Sequence, residues 1–434
     1  MSQTVAMPTA TRSKLNSNQI KGFWAAWGGW TLDGMDAFIY ALVLVPALTE
    51  LLPQSGIEAT PGNIGYYGSI LQALFLLGWG LSMVWGPIAD RFGRVKALMA
   101  TILFYSVFTL LCGFVSNIWQ LAVLRVLCGI GLGGEQPMGG TFVAEEWPED
   151  RRKQGAGYMH TGYYFGFFLA ALANYYIGAN YGWRAMFILG GLPALLVWWI
   201  QSGVREPAAW QKQKDQGKGT PTMSESFGVL FSPMYLRRTI VNSLLFLVSI
   251  IGLWAGSIYV PTAVNVIATR EGYAPAEVAR LASYGSMVLA FATIAGCLLA
   301  PVLAERIGRV KAMGCYFVFL GVSVAIAFGY VFYLPSALVP FFILIVFLGL
   351  GGANFALYTL WLPEQYGTKS RASAISFVSS AGRFVGVGMV FLLASGIRSY
   401  GSLGVPVAIT AVAFVVGVLL LPFAEETRGK TLPA

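Results

Sequence analysis

Long apolar stretches separated by short polar breaks run through the whole chain. Stretches of roughly 20 residues, the length a helix needs to cross a bilayer, lie near residues 22–48, 63–87, 96–115, 118–144, 154–178, 184–204, 239–266, 280–304, 311–332, 337–362, 371–396 and 400–423. Short segments of alternating polarity, the mark of a membrane barrel, are missing, so helices are the remaining way to satisfy every backbone polar group in lipid. The pattern predicts an all-α membrane protein of twelve transmembrane helices. Residues 1–20 are polar and hold no short apolar core ahead of a small-residue cleavage site, so the first helix is expected to be retained as a signal anchor.

Composition agrees, with 56% hydrophobic and 11% charged residues against about 25% charge in a soluble domain. Net charge is +9, which raises the question of a nucleic-acid partner. Its distribution answers otherwise: 22 of the 28 Lys and Arg fall in the N-terminus, the even-numbered loops, and the C-terminus. Basic loops stay cytoplasmic, so both termini are expected inside the cell (inner or plasma) membrane, with the lipid bilayer as partner and no nucleic acid. Cys112, Cys128, Cys297 and Cys315 all fall inside predicted spans at unrelated spacings. No metal or disulfide pattern emerges, and they read as small apolar fillers.

The polar breaks carry a repeat. "GPIADRFGRVKALM" (86–99) returns as "APVLAERIGRVKAMG" (300–314), with Ala89, Arg91, Gly93, Arg94, Val95, Lys96 and Ala97 matched at a constant offset by Ala304, Arg306, Gly308, Arg309, Val310, Lys311 and Ala312. A second echo pairs "IGLGGEQP" from residue 130 with "LGLGGANF" from residue 348, each leading to a loop with Arg152 or Arg371. An internal duplication implies an N-terminal tail (1–21), a six-helix half (22–204), a linker (205–238), a second six-helix half (239–423) and a C-terminal tail (424–434). Repeated halves are the usual build of a secondary transporter, with its site between them near midplane.

On these residues the chain is identified as a member of the major facilitator superfamily. Gly86, Asp90, Arg91, Gly93, Arg94 and Lys96 resemble its signature loop, Arg125 with Gly129 and Gly131 its second motif, and "EETRGKTL" (425–432) its common C-terminal sequence. "LDGMD" resembles the Asp-x-x-Asp motif of proton symporters for organic acids. The segments 133–152 and 181–200 look most like the sialate and lactate branch, with aromatic-acid symporters next. Helix seven lacks the His-containing motif of fungal lactate carriers, and helix five lacks the Gly-Pro motif of drug antiporters. The resemblance implies proton-coupled import of a small organic anion by alternating access. Protons would be the coupling ion, with no cofactor and no metal, in a carrier working as a monomer.

Five strong charges fall within the spans: Asp33, Asp36, Arg125, Glu135 and Arg383. Each costs roughly 2.5–3.5 kcal/mol at a helix centre, so they must face a wet cavity or one another. At about 1.5 Å per residue, Asp36 lies about 21 Å above the cytoplasmic face of a core about 30 Å thick, Arg125, descending from the outside, about 20 Å above it, and Arg383 about 18 Å, so all three can share a level. Asp33, Asp36 and Glu135 are the candidate proton carriers, Arg125 the group that sets their affinity, and Arg383 the anchor for a substrate carboxylate. A structural Asp–Arg bridge accounts for the acid pair equally simply, and Glu135 also suits an inner gate. Asn354, Tyr358 and Trp361, at i, i+4 and i+7, form a stripe for the cavity wall or for packing, and Gln72 is a weaker candidate.

His160, the only histidine, reads as a polar neighbour of the cytoplasmic mouth, although it can titrate near neutrality. The repeated loops, with Asp90, Arg94, Glu305, Arg306, Arg309, Arg152 and Arg371, are expected to lock one conformation as well as to fix topology. Two rivals stay open. "VREPAAW" (204–210) resembles a sugar-porter segment and allows a neutral-metabolite carrier, and a nutrient sensor that binds without transport is the other. An enzyme is not expected: no Ser/His/Asp set, phosphate loop or metal cluster can be assembled.

Overall fold

The computed structural model describes residues 13–215, 222–253 and 258–433. Each predicted span is helical among the described residues, with 254–257 of the seventh span lying outside them: α1 (Ser17–Gln54), α2 (Tyr66–Phe92), α3 (Arg94–Cys112), α4 (Ile118–Glu146), α5 (Glu149–Ala173), α6 (Asn180–Gly203), α7 (Leu236–Leu253), α8 (Arg280–Ile307), α9 (Arg309–Tyr333), α10 (Leu338–Trp361), α11 (Arg371–Ile397) and α12 (Gly404–Phe423). All but α5 are long and apolar enough to cross a membrane by themselves. Helix α5 opens on Glu149, Asp150, Arg151, Arg152 and Lys153 and carries His160 further in. It is packed between α1 and α8, so protein surrounds much of what lipid would reject.

Local chemistry sets the ends. A capping box starts α1 early, Asn16 accepting from the Gln19 N–H while Gln19 reaches back to the Asn16 N–H. Within the 205–238 linker, short helices occupy Ala208–Asp215 and Met223–Leu230. Past the end of α7, helix resumes over Val260–Arg270.

In the first half α1 packs on α5 and α2 on α4; in the second, α8 packs on α10 and α7 on α11. The halves meet along α2 against α11 and α5 against α8. Backbone contact brings α1 and α5 together, since a Cβ on Gly34 would lie 2.2 Å from the Tyr163 carbonyl oxygen. The duplicated glycine-rich segments break their helices at equivalent places. Helix α4 is interrupted between Leu132 and Glu135, and α10 between Gly352 and Phe355. Paired glycines at Gly133-Gly134 and Gly351-Gly352 lower the helix propensity at both breaks. The loops holding the Arg-rich repeats gather at one end of the bundle with the C-terminal tail, hereafter the basic end.

Candidate functional site

The break in α4 makes Glu135 the first residue of a new helical segment and turns it inward, fully buried, against α1. Only glycine leaves room for it, because a Cβ on Gly29 would stand 2.5 Å from Glu135 Oε2. One turn further along α1, Asp33 is buried within electrostatic reach of Glu135, Asp36 and Arg383. Residues three apart on a helix differ by about 60° in direction, and the two aspartates fan accordingly. Asp33 faces the seam between the halves, whereas Asp36 turns into the first half, beside Thr109, Gly190 and Arg125. Glu135 therefore sits with the aspartates and not at a gate in the basic loops.

Among the described residues neither arginine is held by an ion pair. The Arg125 guanidinium lies between two rings, 4.0 Å from the Tyr40 centroid and 4.1 Å from that of Phe75. Arg383 lies 4.1 Å above Trp79 and 5.7 Å from Phe246, and bends back one turn to donate to the Ser379 carbonyl. Aromatic faces offset part of a guanidinium's desolvation yet satisfy few of its five donors. All carboxylate oxygens of Asp33, Asp36 and Glu135, and all three Arg125 nitrogens, are buried without a hydrogen-bond partner among the described residues. Burying such groups unpaired is costly. Three carboxyl groups against two guanidinium groups make a site that is neutral once one proton is bound.

On the basic side of Arg383 a narrow gap of about 10 Å³, room for about one water, lies in the seam, bounded by Gln136 and Gly140 of α4, Phe246 of α7, Tyr358 and Thr359 of α10, and Ser379 of α11. Tyr358 reaches this wall and shares a hydrogen bond of 3.0 Å with Ser249. Asn354, at the break, donates to the Gly351 carbonyl and leaves its Oδ1 unpartnered. Trp361 departs from the expected stripe: its indole N–H donates to the Glu425 carbonyl, 2.9 Å away in the C-terminal tail. Trp361 is the last residue of its helical segment, which brings it to the C-terminal tail and not to the seam wall. Gln72 is half-buried on α2, one turn from Phe75 and two from Trp79, on the face that carries both arginine-stacking rings. His160 is not at the mouth but buried, its ring near Trp30, Tyr164 and Phe355.

The basic end is closed by reciprocal ion pairs. Glu145 is held at 3.0 Å by Arg94 of its own half and at 2.8 Å by Arg371 of the other. Glu364 is held at 3.0 Å by Arg309 of its own half and at 3.2 Å by Arg152 of the other. Asp90 spans the seam to the start of α11, accepting from the N–H of Ala372 and Ser373 and from the Ser373 hydroxyl. Gly86 permits this crossing, since a Cβ there would lie 2.6 Å from the Ser373 Cα. Gly93 and Gly308 supply the turns, with φ of 120° and 96°, a region open mainly to glycine. Arg91 and Arg306 stay exposed and outside this ladder.

Sequence reasoning missed the two hubs. Three glutamates crowd residues 145–149, and only docking of the halves selects Glu145. It also missed Glu206 and Glu426, which accept from the first backbone N–H groups of α3 and α9. Both follow the last helix of their half, a shared position that was available as a signal.

With this geometry in place, comparison with known proteins is direct. A family model described as Major Facilitator Superfamily matches residues 26–301. A probable 4-methylmuconolactone transporter of Cupriavidus pinatubonensis is 28% identical over 428 residues, covering 95% of this chain and 91% of the relative. The niacin transporter NiaP of Acinetobacter baylyi is 26% identical over 435 residues, covering 94% of each. In fold, the chain is similar to the proton:xylose symporter XylE, with a TM-score of 0.75 at 17% identity over 96% of this chain and 98% of that one. The chain belongs to the major facilitator superfamily, as a multi-pass membrane transporter and not an enzyme.

Proposed function

We propose that this protein is a secondary transporter that imports a small organic anion together with protons. The observation that carries this reading is Arg383, a buried guanidinium within electrostatic reach of Asp33 across the seam and, among the described residues, with no acid of its own half beside it. A substrate carboxylate is the natural ligand for its free donors, and Arg suits bidentate carboxylate recognition. The aromatic surface around it favours a planar acid, in keeping with relatives named for niacin and 4-methylmuconolactone.

Charge balance supplies the coupling. Three buried carboxyl groups and two guanidinium groups are neutral with one proton bound. Adding a monoanion restores a net charge, which low dielectric makes expensive, so a second proton accompanies it. Asp33 and Glu135 take protons where they meet the seam; Asp36 and Arg125 form the reserve behind them. The basic end, which the excess of Lys and Arg marks as cytoplasmic, is the closed side here. Both termini then lie in the cytoplasm of a cell with this carrier in its inner or plasma membrane, working as a monomer by alternating access.

The test is reconstitution into liposomes with an imposed pH gradient and a labelled aromatic acid. Asp33→Asn is expected to abolish pH-driven accumulation while preserving anion exchange between the two sides. Full accumulation in that variant refutes the proton assignment. Binding of the acid that is unchanged in Arg383→Ala removes the anchor role.

A further inference from the structure

A closed ring of side chains borders the seam beside Arg383. The Arg383 guanidinium lies 5.7 Å from Phe246. Phe246 and Phe355 are 5.4 Å apart. Phe355 and His160 are 6.3 Å apart and nearly parallel, at 7°. His160 is 5.8 Å from Trp30, and Trp30 is 4.7 Å from Tyr163. Tyr163 lies within electrostatic reach of Arg383, which completes the ring. Both halves contribute, so the ring exists only when they close on each other.

Opposite Arg383, this ring holds two unsatisfied nitrogens. Trp30 Nε1 and His160 Nδ1 are buried without a hydrogen-bond partner among the described residues, on residues only 3% and 2% exposed. An indole N–H can only donate, and a neutral imidazole with its proton on Nε2 accepts at Nδ1. A donor and an acceptor left unmade side by side destabilise the empty site. One hydroxyl satisfies both, accepting from the indole and donating to the imidazole.

We propose that Trp30 and His160 are specificity-determining residues that bind a hydroxyl at the end of a planar acid remote from its carboxylate. The assignment rests on the reading that Arg383 holds the carboxylate. The carrier then measures a substrate at two points, anion at α11 and hydroxyl between α1 and α5, with the flat body against the rings. Asp33 and Glu135 are left for protons. A site built to hydrogen-bond a substrate hydroxyl discriminates against the analogue lacking it, because its own polar groups are then stranded.

Benzoate and 4-hydroxybenzoate, differing by that one group, are the probes, with binding measured by calorimetry on the purified full-length carrier. Wild-type protein is expected to prefer 4-hydroxybenzoate by about tenfold, the scale of one net hydrogen bond. Trp30→Phe, which keeps a ring and removes the N–H, is expected to reduce the preference to about twofold or less. Arg383→Ala should weaken both acids alike. Equal wild-type affinity for the two acids overturns the assignment and leaves the carboxylate reading intact, and this needs no variant to fold. Failure of both to bind overturns both readings. A preference that survives in Trp30→Phe and in His160→Phe shows the pair to be packing only.

Discussion

The two copies of the repeated loop share a sequence and much of their wiring, yet one residue separates them. Arg94 and Arg309 each bond the carbonyl five residues back, Ala89 or Ala304, and each grips a buried glutamate from the helix-four or helix-ten end. At the matched acid they diverge. The Asp90 side chain is fully buried, 3.1 Å from Arg94, and caps the first turn of α11 in the opposite half. The Glu305 side chain pairs with Arg309 at 2.5 Å as Asp90 does with Arg94, but it is 40% exposed and crosses to the other half only through Lys153, at 2.9 Å. A carboxylate on backbone donors at a helix N-terminus gains from charge-assisted bonds and the helix dipole. An exposed lysine pair gains little, being screened by water and salt. Duplication preserved the loop and the reciprocal hubs but buried the loop's own seam-crossing acid only in the first copy.

Asp90→Asn is the largest way to break this comparison. It leaves Arg94 with one buried acid instead of two and replaces an anion at the α11 N-terminus with a neutral amide. Removing one partner of a buried pair costs about 3 kcal/mol or more, here charged against the state closed at the basic end. That is roughly a hundredfold shift in the conformational equilibrium. Spin labels at the basic ends of the two halves should show their separation increase, and an unchanged distance distribution would sink the asymmetry. The matched change, Glu305→Gln, is expected to alter the same equilibrium by about 1 kcal/mol or less. Equal effects from the two would show that burial does not separate the copies.

The helices, the duplication and the five intramembrane charges were all legible in the chain, because each rests on local polarity or on direct repetition. What escaped depends on docking. Trp79 and Phe246 stack on Arg383 from α2 and α7, and no spacing within α11 announces them. Asp33 and Asp36 share a helix face by count, yet a rotation of about 60° sends them to different partners. Trp361 was lost to the stripe because it ends its helical segment beside the C-terminal tail, and no spacing within α10 shows where that tail lies. Proximity of Trp30 to His160 needs α1 and α5 in backbone contact, which Gly34 alone did not foretell.

The smallest expected effect sharpens the comparison through the carboxylates that cap the loops from outside the membrane. Glu206 accepts at 3.0 Å from both Val95 and Lys96, and Glu426 at 3.0 and 3.1 Å from Arg309 and Val310. Burial pushes the Glu206 carboxyl above its ordinary range despite those bonds. Burial also pushes Glu426 upward, but the N–H groups of Arg309, Arg428 and Val310 with the Arg309 charge outweigh it and hold that carboxyl low. The signs of the linkage are therefore opposite. The stabilising contribution of Glu206 is fully present below the ordinary glutamate range and lost as pH rises through the raised folded value. That of Glu426 is present above the ordinary range and lost as pH falls through the depressed one. Thermal unfolding of wild type, Glu206→Gln and Glu426→Gln from neutral to acidic pH should show it. Wild type should gain on Glu206→Gln with mild acidification and lose its advantage over Glu426→Gln at lower pH. Parallel curves for the two variants would mean that the caps, unlike Asp90 and Glu305, are equivalent in both halves.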